Sequence, residues 1–189
     1  MITPELRSGD LLLDRVTPFD TDLVLEYCLD PELQRYTRVP VPYTRTDAAF
    51  FTGIYATEAE RGTDVCLWAI RTPDDAAAIM GTIELRFLSP TTAELGYWLG
   101  APHRGRGIMT TALGLVADHA FSPEGFALET LHWDAVAGNS ASAIVAKRTG
   151  FTFLGERPSH IAIRDELHGA WLAELHATDS RTPRDGWPV

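Results

Sequence analysis

The order of predicted elements places this chain among the α+β folds, with a mixed, mostly antiparallel central sheet of six to seven strands flanked by helices. Three observations predict it. Two helix-opening capping signals lie in the first third of the chain. Three strand patterns follow in succession, split by short proline-containing turns. Helix, strand, helix and two strands then run to the end.

Leu11 to Val16 reads as the first strand. Thr17-Pro18-Phe19-Asp20 then supplies an N-cap, a proline at the first helical position and an acid at N3. The helix that follows puts Leu23, Val24, Tyr27 and Cys28 on one face and stops at Asp30-Pro31, before a short helix from Leu33 to Tyr36. Val39-Pro40-Val41-Pro42-Tyr43 is extended, because proline biases its predecessor away from helix. Thr44-Arg45-Thr46-Asp47 is the second capping box and opens a helix to about Glu60. Strands are predicted over Val65 to Ile70, Ala77 to Leu88 and Ala93 to Leu99, separated by Thr72-Pro73-Asp74-Asp75 and Ser89-Pro90-Thr91-Thr92. Ile108, Ala112, Leu115, Val116 and Ala120 recur at helical spacing. A strand from Leu128 to Val136 leads to Asn139, which caps a helix that Gly150 ends. Phe151 to Leu154 and Ala170 to Leu175 are the last strands. Residues 1–177 read as one domain, and 178–189 as a polar, loose tail.

Composition narrows the class. A chain of 189 residues suits one domain, and 45% hydrophobic residues suffice for a core. No apolar run reaches membrane-spanning length, and the sequence from Met1 to Arg7 lacks the apolar core of a signal peptide. Cys28 and Cys66 are too few for a disulfide framework, and the six histidines show no metal-ligand spacing, so a reduced cytoplasmic setting without a metal is expected. The net charge of −10 argues against nucleic acid or an anionic membrane as a partner. A small anionic ligand is still compatible, because Leu95 to Ala117 contains no carboxylate and does contain His103, Arg104 and Arg106.

That window holds the most informative motif. Gly105-Arg106-Gly107 joins the strand ending at Leu99 to the helix opening at Ile108-Met109-Thr110. Successive amides in such a turn point into one concavity, and the helix N-terminus adds positive potential, so a phosphate group is favoured there. A Walker A loop is excluded by the missing Gly-Lys-Ser/Thr. A dinucleotide fingerprint fails because Thr110 stands where the third glycine belongs. Gly-x-Gly alone also suits a plain turn.

Arg104-Gly105-Arg106-Gly107-Ile108-Met109 resembles the Arg/Gln-x-x-Gly-x-Gly/Ala signature of the GNAT N-acetyltransferase superfamily, with Met109 departing from the last position. Glu94-Leu95-Gly96-Tyr97-Trp98-Leu99, Asn139-Ser140-Ala141-Ser142 and Lys147-Arg148-Thr149-Gly150-Phe151 resemble its ribosomal-protein alanine N-acetyltransferase branch, as does the segment from Tyr36-Thr37 to Pro42-Tyr43-Thr44. The resemblance spans roughly residues 8 to 176 and implies an acyl-CoA co-substrate, most simply acetyl-CoA. It implies that amides from Arg104 through Gly105, Arg106, Gly107, Ile108 and Met109 to Thr110 hold the pyrophosphate. It further implies that the backbone of Trp98 and Leu99 pairs with pantetheine, helped by a bulge that splays this strand from the next and that Gly96 or Gly100 would ease. One strand amide polarises the thioester carbonyl. Asn139 is both an N-cap and, by resemblance, a pantetheine contact.

Three side chains are candidates for proton transfer. Ser142, a turn beyond Asn139, can donate to the leaving thiolate or be a solvated helix serine; the tyrosine that many members of the superfamily use is missing here. Glu94 shares a face with Gly96 and Trp98, opposite Leu95, Tyr97 and Leu99, and is either a general base or a solvated strand glutamate. Glu84 is a second candidate base. The expected reaction is direct attack of a primary amine on the thioester in a ternary complex. The acceptor is a protein N-terminal α-amine, a small-molecule amine such as a polyamine or antibiotic, or, in a CoA-binding regulatory domain, absent. The acyl group, acetyl or succinyl, and homodimer formation stay open.

Overall fold

The computed structural model describes residues 3–62 and 64–189. Its strands form one eight-stranded sheet in the order β1-β2-β3-β4-β5-β6-β8-β7, comprising β1 (Leu6–Ser8), β2 (Leu11–Asp14), β3 (Val65–Arg71), β4 (Gly81–Ser89), β5 (Thr92–Leu99), β6 (Thr130–Val136), β7 (Thr152–Ile163) and β8 (Glu166–His176). Among the described residues, only β5 and β6 run parallel. A parallel neighbour cannot be reached by a hairpin, and α5 (Ile108–Phe121) supplies the crossover. The eighth strand is β1, which carries too little apolar pattern to be read in the sequence.

Side-chain alternation divides the core in two. Cys66, Trp68 and Ile70 of β3 face α5 and α6 (Ser140–Arg148), together with Ile83, Leu85, Leu95, Leu131 and Trp133. Leu67 and Ala69 face the opposite way, toward α1 (Thr21–Cys28), α2 (Pro31–Tyr36) and the helix formed by α3 (Arg45–Ala49), a π segment (Phe50–Tyr55) and α4 (Ala56–Arg61). Both capping boxes form. Asp20 accepts from the Thr17 amide at 2.8 Å, and Asp47 accepts from the Thr44 amide at 2.8 Å.

Three expectations change. The strand read from Ala77 begins at Gly81. The strand read as ending at Leu154 continues to Ile163, because it pairs with β8 through two register shifts, one that passes over Leu154 and one between Arg157 and Ile161. The turn joining them, Arg164-Asp165, has positive φ at both residues without a glycine. The segment 178–189 is not loose. Trp187 is buried, its Nε1 donates to the Phe151 carbonyl at 3.3 Å, and its ring packs on Trp133 and Phe153.

The sheet opens at one place. β5 and β6 pair from Thr92↔Thr130 to Leu95↔Trp133 and no further, although both strands continue. The expected bulge is absent from this fork. Pairing of β4 with β5 is unbroken from Gly81↔Leu99 to Phe87↔Ala93, and its one shift lies at the Phe87/Ser89 end. The strands part because β5 stays with β4 while β6 follows β8 through Val136↔Ala170.

Candidate active site at the strand fork

The fork leaves backbone groups without partners. The Gly100 amide donates to the Met80 carbonyl at 2.9 Å, and the Phe87 amide donates away from β5, to Asp64, at 2.8 Å. Antiparallel alternation then turns the polar groups of Glu94, Gly96 and Trp98 toward β4, and those of Tyr97 and Leu99 into the fork. Trp98 was expected to offer its backbone here. The register gives that position to Tyr97, and Trp98 is among the residues that line the cleft. The Leu99 carbonyl accepts from Arg104 Nε at 3.1 Å.

Below the fork lies the glycine turn. Gly105 and Gly107 have φ of +73° and +77°, and nothing stands within 4 Å of a Cβ at either, so the glycines serve backbone conformation rather than space. Gly107 is the N-cap of α5 and has no side chain to satisfy the helix start. The first intrahelical bond runs from the Thr111 amide to the Gly107 carbonyl, leaving the amides of Ile108, Met109 and Thr110 without intrahelical partners. Met109 anchors this start by burying its side chain in the core.

The turn is fastened to α1. Tyr27 Oη lies 3.0 Å from His103 Nε2, and the Tyr27 ring fills the space over Gly100. His103 is held below the ordinary histidine range by burial and then by Arg106, so its imidazole is neutral near pH 7. Its buried Nδ1 has no partner. The Arg104 amide, expected to help hold the pyrophosphate, instead donates to the Ala101 carbonyl at 3.3 Å, and the Arg104 guanidinium pairs with Asp30 and stands 3.6 Å from Glu32. Arg106 and Arg148 are the exposed guanidinium groups beside the turn.

A cavity of about 430 Å³ runs from this turn to the fork, and its lining includes all ten residues expected to bind the cofactor, from Trp98 to Asn139. A second cavity of about 510 Å³ opens on the side of α2 and the π segment. The two share Tyr36, Thr37, Tyr97, Trp98, Asn139 and Ser142, so they meet at the fork. Asn139 caps α6, its Oδ1 accepting from the Ser142 amide at 3.2 Å. Above the junction, Tyr36 Oη donates to the Gly138 carbonyl at 3.3 Å.

Glu94 lies in the second cavity with Glu84, Asp134 and Arg86. Arg86 is 2.9 Å from Glu84 and 3.5 Å from Glu94. Tyr55, the last residue of the π segment, donates from Oη to Glu84 at 2.8 Å. Burial pushes the Glu94 carboxyl above its ordinary range, and Asp134 adds to the shift while Arg86 and Arg38 oppose it. Glu94 is therefore a half-buried carboxylate of raised basicity. Glu84 is committed to Tyr55 and Arg86.

A family model described as an acetyltransferase (GNAT) domain matches residues 10–152. The chain belongs to the GNAT acetyltransferase family. No curated protein matches this GNAT chain in sequence. Solved structures match its fold. One is the ribosomal L7/L12 alpha-N-protein acetyltransferase RimL in complex with coenzyme A, 20% identical, with a TM-score of 0.78 over 92% of this chain and 98% of that one. Another is the microcin C7 self-immunity acetyltransferase MccE in complex with acetyl-CoA and AMP, 17% identical, with a TM-score of 0.76 over 89% and 93%. A third is an acetyltransferase of Salmonella typhimurium that modifies the N-terminal serine of ribosomal protein L7/L12, 19% identical, with a TM-score of 0.77 over 92% and 99%.

Sequence reasoning missed Tyr97, Trp133, Tyr55, Asp134 and Arg148 in this GNAT domain. Tyr97 sits on the apolar row of β5 and reads as core, and Trp133 reads the same way on β6. Only the hydroxyl and the indole N–H hinted that each needs a polar partner when buried.

Proposed function

We propose that this GNAT enzyme transfers an acetyl group from acetyl-CoA to the α-amine of a peptide or protein N-terminus, by direct attack in a ternary complex. The observation that carries the reading is the meeting of two cavities at Tyr97, Trp98, Asn139 and Ser142. One cavity suits an elongated phosphorylated ligand, and the other suits an amine.

The first cavity fits CoA in its own chemistry. Left-handed Gly105 and Gly107 lead into the start of α5, where the amides of Ile108, Met109 and Thr110 have no intrahelical partners, a place that suits a pyrophosphate. Arg106 and Arg148 add the nearby cations, and the backbone groups of Tyr97 with the Leu99 amide are open to a strand-like pantetheine arm. CoA supplies an activated acyl carbonyl and a thiol leaving group when bound. The Tyr97 and Leu99 amides are the fork donors available to polarise that carbonyl. The Ser142 hydroxyl is the side-chain donor at the junction for the departing sulfur.

The second cavity carries more carboxylate than guanidinium, which favours a cationic acceptor. Glu94, with its raised basicity, takes the proton from the incoming ammonium, directly or through water. An α-amine with a pKa near 7.8 is about one-quarter neutral at physiological pH, whereas a lysine side chain is about one-thousandth neutral. A single raised carboxylate matches the easier task.

Thiol release from acetyl-CoA, measured against an amine panel, tests the reading. Peptides beginning with Ser or Ala are expected to accelerate release and to carry the acetyl group on their N-terminus by mass spectrometry. Acceleration by polyamines or aminoglycosides alone moves the acceptor to small molecules. Tight CoA binding with no amine-stimulated release points to a regulatory CoA-binding domain.

A further inference from the structure

Trp133 Nε1 donates to Tyr97 Oη at 2.9 Å and also reaches Ser142 Oγ at 3.2 Å. Ser142 Oγ donates to Tyr97 Oη at 3.0 Å, and Tyr97 Oη donates to the Ser142 carbonyl at 3.0 Å. These bonds form a closed set among three elements, β5, β6 and α6. Each hydroxyl proton has one assigned acceptor. Tyr97 Oη uses both lone pairs, and its proton is held on a backbone carbonyl. Burial pushes the Tyr97 hydroxyl well above the ordinary tyrosine range, so it stays neutral.

We infer that Tyr97 and Trp133 are positioning residues, which hold the Ser142 hydroxyl at the junction of the two cavities, ready to hydrogen-bond the departing sulfur. The inference rests on the proposed role of Ser142. Without a partner, a serine hydroxyl at a helix start turns freely or bonds back to the helix. Here Ser142 Oγ keeps one lone pair on Trp133 and its proton on Tyr97, so its position is fixed before any ligand arrives. When the hydroxyl turns toward sulfur, Trp133 N–H continues to support the oxygen. The pair lies on the apolar side of β5, whereas Glu94 lies on the other, so the two halves of the proton traffic are kept on opposite faces of one strand.

The test is a cycle of Tyr97→Phe, Ser142→Ala and the double variant, with kcat, the KM for acetyl-CoA and thermal midpoints measured for each. Tyr97→Phe is expected to lower kcat about tenfold at a KM within twofold of wild type, and to have no further effect on kcat in the Ser142→Ala background. An equal loss in both backgrounds means that Tyr97 acts only by packing, which overturns the inference. So does an unchanged kcat in Tyr97→Phe when Ser142→Ala is slow. A Ser142→Ala enzyme as fast as wild type overturns the role of Ser142 itself, and the inference with it. Trp133→Phe, which removes the N–H and keeps a ring, is expected to show the same coupling and serves if Tyr97→Phe does not fold.

Discussion

A Cβ placed on Gly100 would stand 2.6 Å from Cγ of the Tyr27 ring, so the end of β5 and the face of α1 touch with no room for a methyl group. Tyr27 then reaches His103 on the same turn. Gly100→Ala is expected to push α1 off the turn, to cost about 1–3 kcal/mol of stability by overpacking, and to weaken CoA binding about tenfold by calorimetry. Tyr27→Phe keeps the ring and loses only the hydroxyl bond, and a much smaller change in affinity is expected.

Two glycines of the α5 region predict opposite signs. Gly107 needs left-handed backbone, so Gly107→Ala is expected to cost about 1–2 kcal/mol and to weaken CoA binding. Gly114 lies inside α5 with nothing within 4 Å of an added Cβ. Gly114→Ala is expected to gain about 0.5–1 kcal/mol with CoA affinity unchanged. Denaturant midpoints and calorimetry on the two proteins separate the effects.

Glu94 sets the pH dependence. Its carboxyl is raised first by burial and then by Asp134, so the acid limb of kcat/KM is expected above the ordinary glutamate range. Asp134→Asn removes a repulsive charge and is expected to move that limb to lower pH. Glu94→Gln is expected to slow turnover without changing CoA affinity. A folded-state pKa above the unfolded value contributes stability below the unfolded pKa, and that contribution is lost as pH rises through the folded pKa. Glu94→Gln is therefore expected to melt higher than wild type at neutral pH while turning over more slowly.

Away from the site, Arg71 is the most exacting structural charge. It is 3% exposed, its Nε is 2.7 Å from Asp14, and its guanidinium holds Asp20 at 2.7 and 2.8 Å. Asp20 also caps the turn before α1. Arg71→Met leaves the buried Asp20 without its partner and is expected to cost about 3–5 kcal/mol, read as a fall in thermal midpoint of roughly 10 °C.

Trp187 gives the last prediction. Its ring closes the core over Trp133 and Phe153, and Lys147 Nζ donates to the Val189 carbonyl at 3.0 Å, fastening the terminus to α6. Trp187→Ala is expected to destabilise the domain by about 3 kcal/mol in urea titrations. Truncation after residue 177 is expected to do at least as much.

What was legible in the sequence was local. Thr17 and Asp20, Thr44 and Asp47, and the Asn139 cap each use groups a few residues apart, and all formed as read. The turn from Arg104 to Thr110 was legible for the same reason, since glycine conformation and a helix start are short-range properties. Partners distant in the chain were not legible. Nothing near Arg104 announces Asp30, and nothing near Trp187 announces Trp133. The continuation of β7 to Ile163 was hidden because Gly155, Pro158 and Ser159 punctuate a strand that only its pairing with β8 sustains. The fork was inferred with the wrong cause, because its divergence comes from the different partners of β5 and β6, and partner choice is a property of the whole sheet.

An unpaired strand margin is normally an aggregation hazard, since it offers a template to any extended chain. This protein keeps such a margin in the middle of its sheet, between β5 and β6, where the Tyr36–Gly138 contact spans the opening. A margin flanked on both sides by paired strands is shielded from edge-to-edge pairing with another sheet. The same geometry that creates hydrogen-bonding capacity thus excludes the commonest wrong occupant.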